Sequence, residues 1–153
     1  MVQRKLGVHV SGDSVTVVDA EVPDDGPITI VMDQSFRLQK GDRGKAFCTM
    51  YSRLHDYARE KNINVAIIKE SAANQRGMGL AHLQAAELRG VAIAALASVS
   101  DLIQVSKASV SKNFGDRKVD DYLKDDGFWN TNLNGELRSG SREAAMLILA
   151  TRS

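Results

Sequence analysis

Val65-Ala66-Ile67-Ile68-Lys69-Glu70-Ser71 is the stretch on which the fold turns. A run of small and β-branched apolar residues ends in a lysine and a carboxylate. Such a run, short and bounded by polar residues, reads as a fully buried strand of a parallel or mixed sheet. Asn74-Gln75-Arg76-Gly77-Met78-Gly79 follows as a polar loop, and the glycines in it permit close approach to another backbone. The segment from Leu80 to Leu96 is rich in Ala and Leu and reads as a helix. From Val91 to Ala97 it is apolar on every side, which predicts burial rather than an amphipathic surface. Open α/β sheets place their chemistry at the ends of buried strands, so Glu70 is the first candidate site residue. The plainer alternative is a strand-end carboxylate washed by solvent.

Upstream, Leu6, Val8 and Val10 alternate with Gly7, His9 and Ser11, which is strand periodicity. Ser11-Gly12-Asp13-Ser14 signals a tight turn, and Val15 to Val22 reads as a second strand. Pro23-Asp24-Asp25-Gly26-Pro27 is a turn, and Ile28 to Phe36 reads as a third strand. Three strands with short connections predict an antiparallel meander. Phe47, Met50, Leu54 and Tyr57 then recur at helical spacing, which predicts an amphipathic helix over 45–61. A helix between the meander and the buried strand suits a crossover that sets the fourth strand beside the first. That would bring His9 and Glu70 onto neighbouring strands near one edge.

Downstream, Asp101 to Val105 reads as a fifth strand, Ser109 to Gly115 as a polar segment and Asp116 to Lys124 as a short helix. Phe128 to Gly140 reads as a loop carrying Trp129, and Ala144 to Thr151 as a closing helix with Ser141 as its cap. The whole is an α/β chain with a five-stranded mixed sheet and helices on both faces. Its 153 residues suit one domain with a sizeable core. Apolar content of 43% and charged content of 25% are ordinary for a globular protein. A net charge of +1 gives no bulk attraction to nucleic acid, so any such binding needs a local basic patch. Cys48 has no partner for an internal disulfide. In its helical pattern it reads as a core filler, in a chain suited to a reducing, cytoplasmic compartment. The first residues lack the apolar segment of a signal peptide, and no run of about 18 apolar residues offers a membrane span. There is no internal repeat.

The element order βββ-α-β-α-β-α-α, with certain local motifs, resembles the ribonuclease H-like fold and within it the RuvC family of Holliday-junction resolvases. The motifs are Lys5-Leu6-Gly7-Val8-His9 at the first strand, the strand ending at Glu70, and Glu87-Leu88-Arg89-Gly90-Val91-Ala92-Ile93-Ala94-Ala95. Asp116-Arg117-Lys118-Val119 and Glu143-Ala144-Ala145-Met146-Leu147-Ile148-Leu149-Ala150 complete the set. The similarity runs over residues 4 to 152 in order. The chain also resembles a small bacterial family, DUF3010, which carries a Lys-Glu pair at the corresponding strand end.

The resemblance implies two Mg²⁺ ions held by a carboxylate cluster, one activating water and the other stabilising the leaving oxygen. In the family's pattern the first aspartate falls on His9, the second carboxylate on Glu70, and the closing-helix aspartates on Arg142 and Ala145. Imidazole is a poor ligand for Mg²⁺ and a better one for Mn²⁺ or Zn²⁺. The catalytic candidates are therefore His9, Glu70 and Glu143, and the metal-ligand candidates Glu70, Glu143 and Asp13. Arg76, Lys107, Lys112, Arg117 and Lys118 are the candidate phosphate contacts, or else simply solvated surface residues. A lone histidine on a strand, as His9 is, is more often a hydrogen-bonded structural residue than a ligand. Three function classes follow. The favoured one is a nucleic-acid-binding protein, for branched or single-stranded DNA, with a degenerate metal site. The second is an active Mg- or Mn-dependent endonuclease with a His/Glu site. The third is a protein-interaction subunit. Resemblance also implies a homodimer.

Overall fold

Short connections pair the first three strands as a meander, the first two of them buried on both faces along their middles. The computed structural model describes residues 1–72 and 79–152. Strand β1 (Gln3–Ser11) runs antiparallel to β2 (Ser14–Val22), which runs antiparallel to β3 (Ile28–Arg37). Gly12 turns the first hairpin at φ +59°, a conformation that disfavours any side chain with a Cβ. Helix α1 (Arg43–Glu60) starts at Asp42, whose carboxylate accepts from Lys45 N at 3.0 Å. It crosses over to β4 (Val65–Lys69), which lies parallel to β1, as the crossover argument requires. Helix α2 (Leu80–Ala97) leads to β5 (Asp101–Val105), parallel to β4 at the sheet edge.

Helices α3 (Lys107–Asn113), α4 (Val119–Leu123) and α5 (Asp126–Asn132) follow, then a two-residue strand β6 (Leu133–Asn134) and α6 (Arg142–Ala150). The sheet order is β5-β4-β1-β2-β3-β6. The sheet thus has six strands where five are expected from sequence, β6 adding a short parallel pair to β3. The sheet separates two cores. On one face α1 and α2 bury Met50, Leu54, Leu88 and Leu96 against Leu6, Val8, Ala66 and Ile68. On the other, α3 to α6 bury Val110, Tyr122, Trp129 and Ile148 against Val18, Ile28 and Ile67.

Several expectations are corrected. The polar segment after Ser106 is α3, because the Ser106 hydroxyl caps Ser109 N and a single apolar residue, Val110, anchors the turn pair. The stretch from Phe128 is not a loop at its start. Asp125 caps α5 through Phe128 N, and Trp129 is buried with its indole Nε1 donating to Tyr122 O at 2.9 Å. Cys48 is exposed, on the outer face of α1. Helix α2 is not buried all round, for Ala94 and Ala97 are open. Ser141 does not cap α6 with its side chain, because its hydroxyl donates to Asp33 instead. Among the described residues, no helix is long and apolar enough to cross a membrane.

Candidate functional site

The rim formed where β1, β4 and β5 end carries the candidate chemistry. Val8 lies opposite Ile68 in the parallel β1–β4 pairing, so the next residues, His9 and Lys69, are level with one another. Side chains alternate across a strand, so His9 and Lys69 share the face of Gly7 and Ile67. Helix α6 packs on that face. A Cβ built on Gly7 would lie 2.8 Å from the Ala144 carbonyl carbon, so only glycine lets the helix backbone come so near the strand. This close approach sets Glu143 over the end of β1.

Glu143 is the centre of the site. Its Oε2 lies 2.9 Å from His9 Nε2, and its Oε1 accepts from Lys69 Nζ at 3.2 Å. The hydrogen bond with His9, aided by the charge of Lys69, outweighs burial and holds the Glu143 carboxyl down at about 2. Lys69, Lys107, Val110, Val119, Glu143, Met146 and Leu147 line a small cavity beside it. Lys107 in turn pairs with Asp120 at 2.8 Å. His9 and Lys69 therefore flank the Glu143 carboxylate, while Lys107, with Asp120 as its own partner, lines the cavity beside them.

Glu70 does not join them. It lies one residue past the end of β4, where continued alternation would turn it to the side of Ala66 and Ile68, and it is exposed. Its backbone N–H still donates to Val105 O at 2.8 Å, which continues the β4–β5 ladder. Asp13 sits in the β1–β2 turn with Arg37 at 3.8 Å. Of the proposed catalytic residues, then, His9 and Glu143 meet and Glu70 stands apart. The proposed metal ligands Glu70, Glu143 and Asp13 do not converge. Among the described residues, no three His, Cys, Asp or Glu side chains come together as a metal site.

The basic candidates cluster on and after α3. Lys112 and Lys118 are exposed, and neither has an ion-pair partner among the described residues. Arg117 is committed to Asp125 at 3.0 Å, with its guanidinium 4.3 Å from the Tyr122 ring centroid. Arg76 lies outside the described residues. Lys69 is the site residue that sequence reading missed. The signal was present, because pairing the apolar alternation of β1 with that of β4 puts Lys69, not Glu70, level with His9.

No family model matches the chain, and no curated protein matches it in sequence. The DUF3010 resemblance gains no support there. Solved structures do match. The structure of Thermus thermophilus RuvC superposes with a TM-score of 0.71 at 10% identity, covering 98% of this chain and 92% of that one. The fold is that of RuvC. The same protein in complex with a Holliday junction substrate matches at TM-score 0.72 and 9% identity, with the same coverage of both chains. The yeast mitochondrial Holliday junction resolvase matches at 0.63 and 13% identity, covering 98% of this chain and 78% of that one.

The RuvC-like fold makes the ion question concrete. Two hard cations need several anionic oxygen ligands. The rim residues on the α6 face do not fit that demand. Glu143 has a nitrogen group at each oxygen, and Lys69 brings a positive charge to the place where a cation would sit. A divalent ion there would meet an ammonium at contact distance, which like-charge repulsion disfavours.

Proposed function

We propose that this chain is a nucleic-acid-binding protein on a RuvC-like fold, with weak or no two-metal nuclease activity. One observation carries the reading. His9 and Lys69 flank the Glu143 carboxylate, Lys107 stands beside them paired with Asp120, and Lys112 on α3 and Lys118 just before α4 are exposed. Such a surface suits phosphate contact and suits metal binding poorly. Branched DNA is the first substrate to test, since RuvC of similar fold is seen with a Holliday junction substrate. Metal-dependent cleavage by His9, Glu70 and Glu143 is the competing enzyme reading. It would require Glu70 to act from its exposed place past the end of β4.

The test is gel-shift and cleavage of a synthetic four-way junction and a single strand of equal length, in Mg²⁺ and in Mn²⁺. Salt-sensitive retardation of the junction without product strands is expected, weakened by Lys112→Ala with Lys118→Ala. Product strands that vanish in Glu70→Ala would establish the nuclease reading instead.

A second reading concerns partners. Leu80 and Leu83 on α2 are exposed, and Phe47, Tyr51, Gly90, Val91 and Ala94 line an apolar groove between α1 and α2. This face supports a homodimer, as the resemblance implied. Sedimentation velocity of the protein, beside Leu83→Glu, checks it: a dimer for the first and a monomer for the second.

A further inference from the structure

We propose that Lys69 serves as a built-in cation, so that the rim of His9, Lys69 and Lys107 binds a phosphodiester without any metal ion. The inference rests on the reading above for its ligand, but its geometry stands alone. Lys69 Nζ is 3.2 Å from Glu143 Oε1, and His9 Nε2 is 2.9 Å from Glu143 Oε2. The carboxylate thus has a nitrogen partner on each oxygen, where a metal site would offer those oxygens to an ion. Lys69 is three-quarters shielded at its side chain, so its stem is packed while its head stays at the rim.

An ammonium carries three N–H donors and acts as a point charge toward phosphate. One of them is directed at Glu143 Oε1. Lys107 lines the same small cavity, held in place by Asp120 at 2.8 Å. Two ammonium groups from different elements, the end of β4 and the start of α3, therefore line one cavity, each with its own carboxylate partner. Both ammonium groups keep N–H donors beyond those given to Glu143 and Asp120, and these can donate to a phosphate oxygen. What they lack is the ability to activate water, because an ammonium has no open coordination position and cannot lower the pKa of a bound water as a metal does. The site would then grip a backbone and leave it whole.

The inference is decided by junction binding in Mg²⁺ and in excess EDTA, by Lys69→Met, and by a Mn²⁺ titration of the protein alone followed by its Tm. Methionine keeps the packed stem and removes the charge. Equal binding with and without the divalent ion is expected, with affinity roughly tenfold lower in Lys69→Met. Mn²⁺ should leave the Tm of the unaltered protein unchanged. Replacing Lys69→Glu should create a Mn²⁺-dependent rise in Tm that a further Glu143→Gln removes. Junction binding lost in EDTA, or Lys69→Met binding like the unaltered protein, overturns the inference. So does Mn²⁺ stabilisation of the unaltered protein that Glu143→Gln abolishes. If no DNA is bound in any buffer, the reading above fails, and the Mn²⁺ measurements alone judge the role of Lys69.

Discussion

Gly7 has no side chain because the space is taken. The Ala144 carbonyl carbon would lie 2.8 Å from a Cβ there, and the Ile148 side chain 3.2 Å. The obstacle is backbone, which cannot rotate away, so Gly7→Ala must push α6 off the sheet. A loss of about 1–3 kcal/mol is expected, read as a lower urea midpoint at constant slope. A midpoint within error of the parent would contradict the packing described. The same displacement should move Glu143 away from His9. Glu143 gives a second prediction at this scale. Its carboxyl titrates at about 2 in the fold against an ordinary 4.5. A depressed carboxyl contributes stability above its unfolded value and loses it as pH falls through its folded one. The Tm advantage of the parent over Glu143→Gln should thus be complete above about pH 4.5 and fade toward about pH 2. The side chain is partly exposed, so the amplitude will be modest. An advantage that stays constant through that window would show that the ion pairs hold nothing.

Among the elements, α1 and β1 are tied to β2 by a network the apolar pattern does not reveal. Asp19 is fully buried. Arg4 donates to it from Nε at 2.6 Å and from a terminal nitrogen at 2.8 Å, and the Tyr57 hydroxyl donates at 2.5 Å. Burial, with the bond to Asp19, pushes the Tyr57 phenol well above its ordinary value. In sequence Tyr57 reads as part of the apolar stripe of α1, whereas its hydroxyl is what meets the charge. Removing one partner of a buried pair strands the other. Asp19→Ala should cost roughly 3 kcal/mol, the lower end of the usual range because Arg4 keeps some contact with water. Tyr57→Phe should cost about 1 kcal/mol. Chemical denaturation of both variants checks the order; equal losses would mean that the phenol, not the guanidinium, holds Asp19. A second tie, from Asp33 on β3 to Ser141 and to Arg138 N and its guanidinium, fixes the entry to α6. Burial raises the Asp33 carboxyl, but these donors outweigh it and hold it below the ordinary range.

For the molecule as a whole, a net charge of +1 means that attraction to DNA must come from a local basic patch and not from bulk charge. Each phosphate neutralised contributes about 0.9 to the slope of log affinity against log salt. With Lys69, Lys107, Lys112 and Lys118 as contacts, that slope should be no steeper than about −4. A markedly steeper slope, measured by fluorescence anisotropy, would require basic surface beyond these four residues.

By itself the sequence determined five of the six strands and the crossover that sets β4 beside β1. Those follow from local periods: two residues for Leu6, Val8 and Val10, nearly four for Met50, Leu54 and Ala58. The resemblance added the expectation of a rim poor in carboxylate, since His9 stands in the first strand where it asks for an aspartate. Only the tertiary structure decided which residues meet. A period says which side chains share a face, not which partner strand or helix that face confronts. Lys69 and Glu70 differ by one position, yet Lys69 pairs with Glu143 while Glu70 is exposed past the end of β4. Cys48 turned outward, Trp129 turned inward and Asp19 found its two partners for the same reason. Burial and ion pairing are settled by contacts between segments far apart in the chain, and no local pattern carries that information.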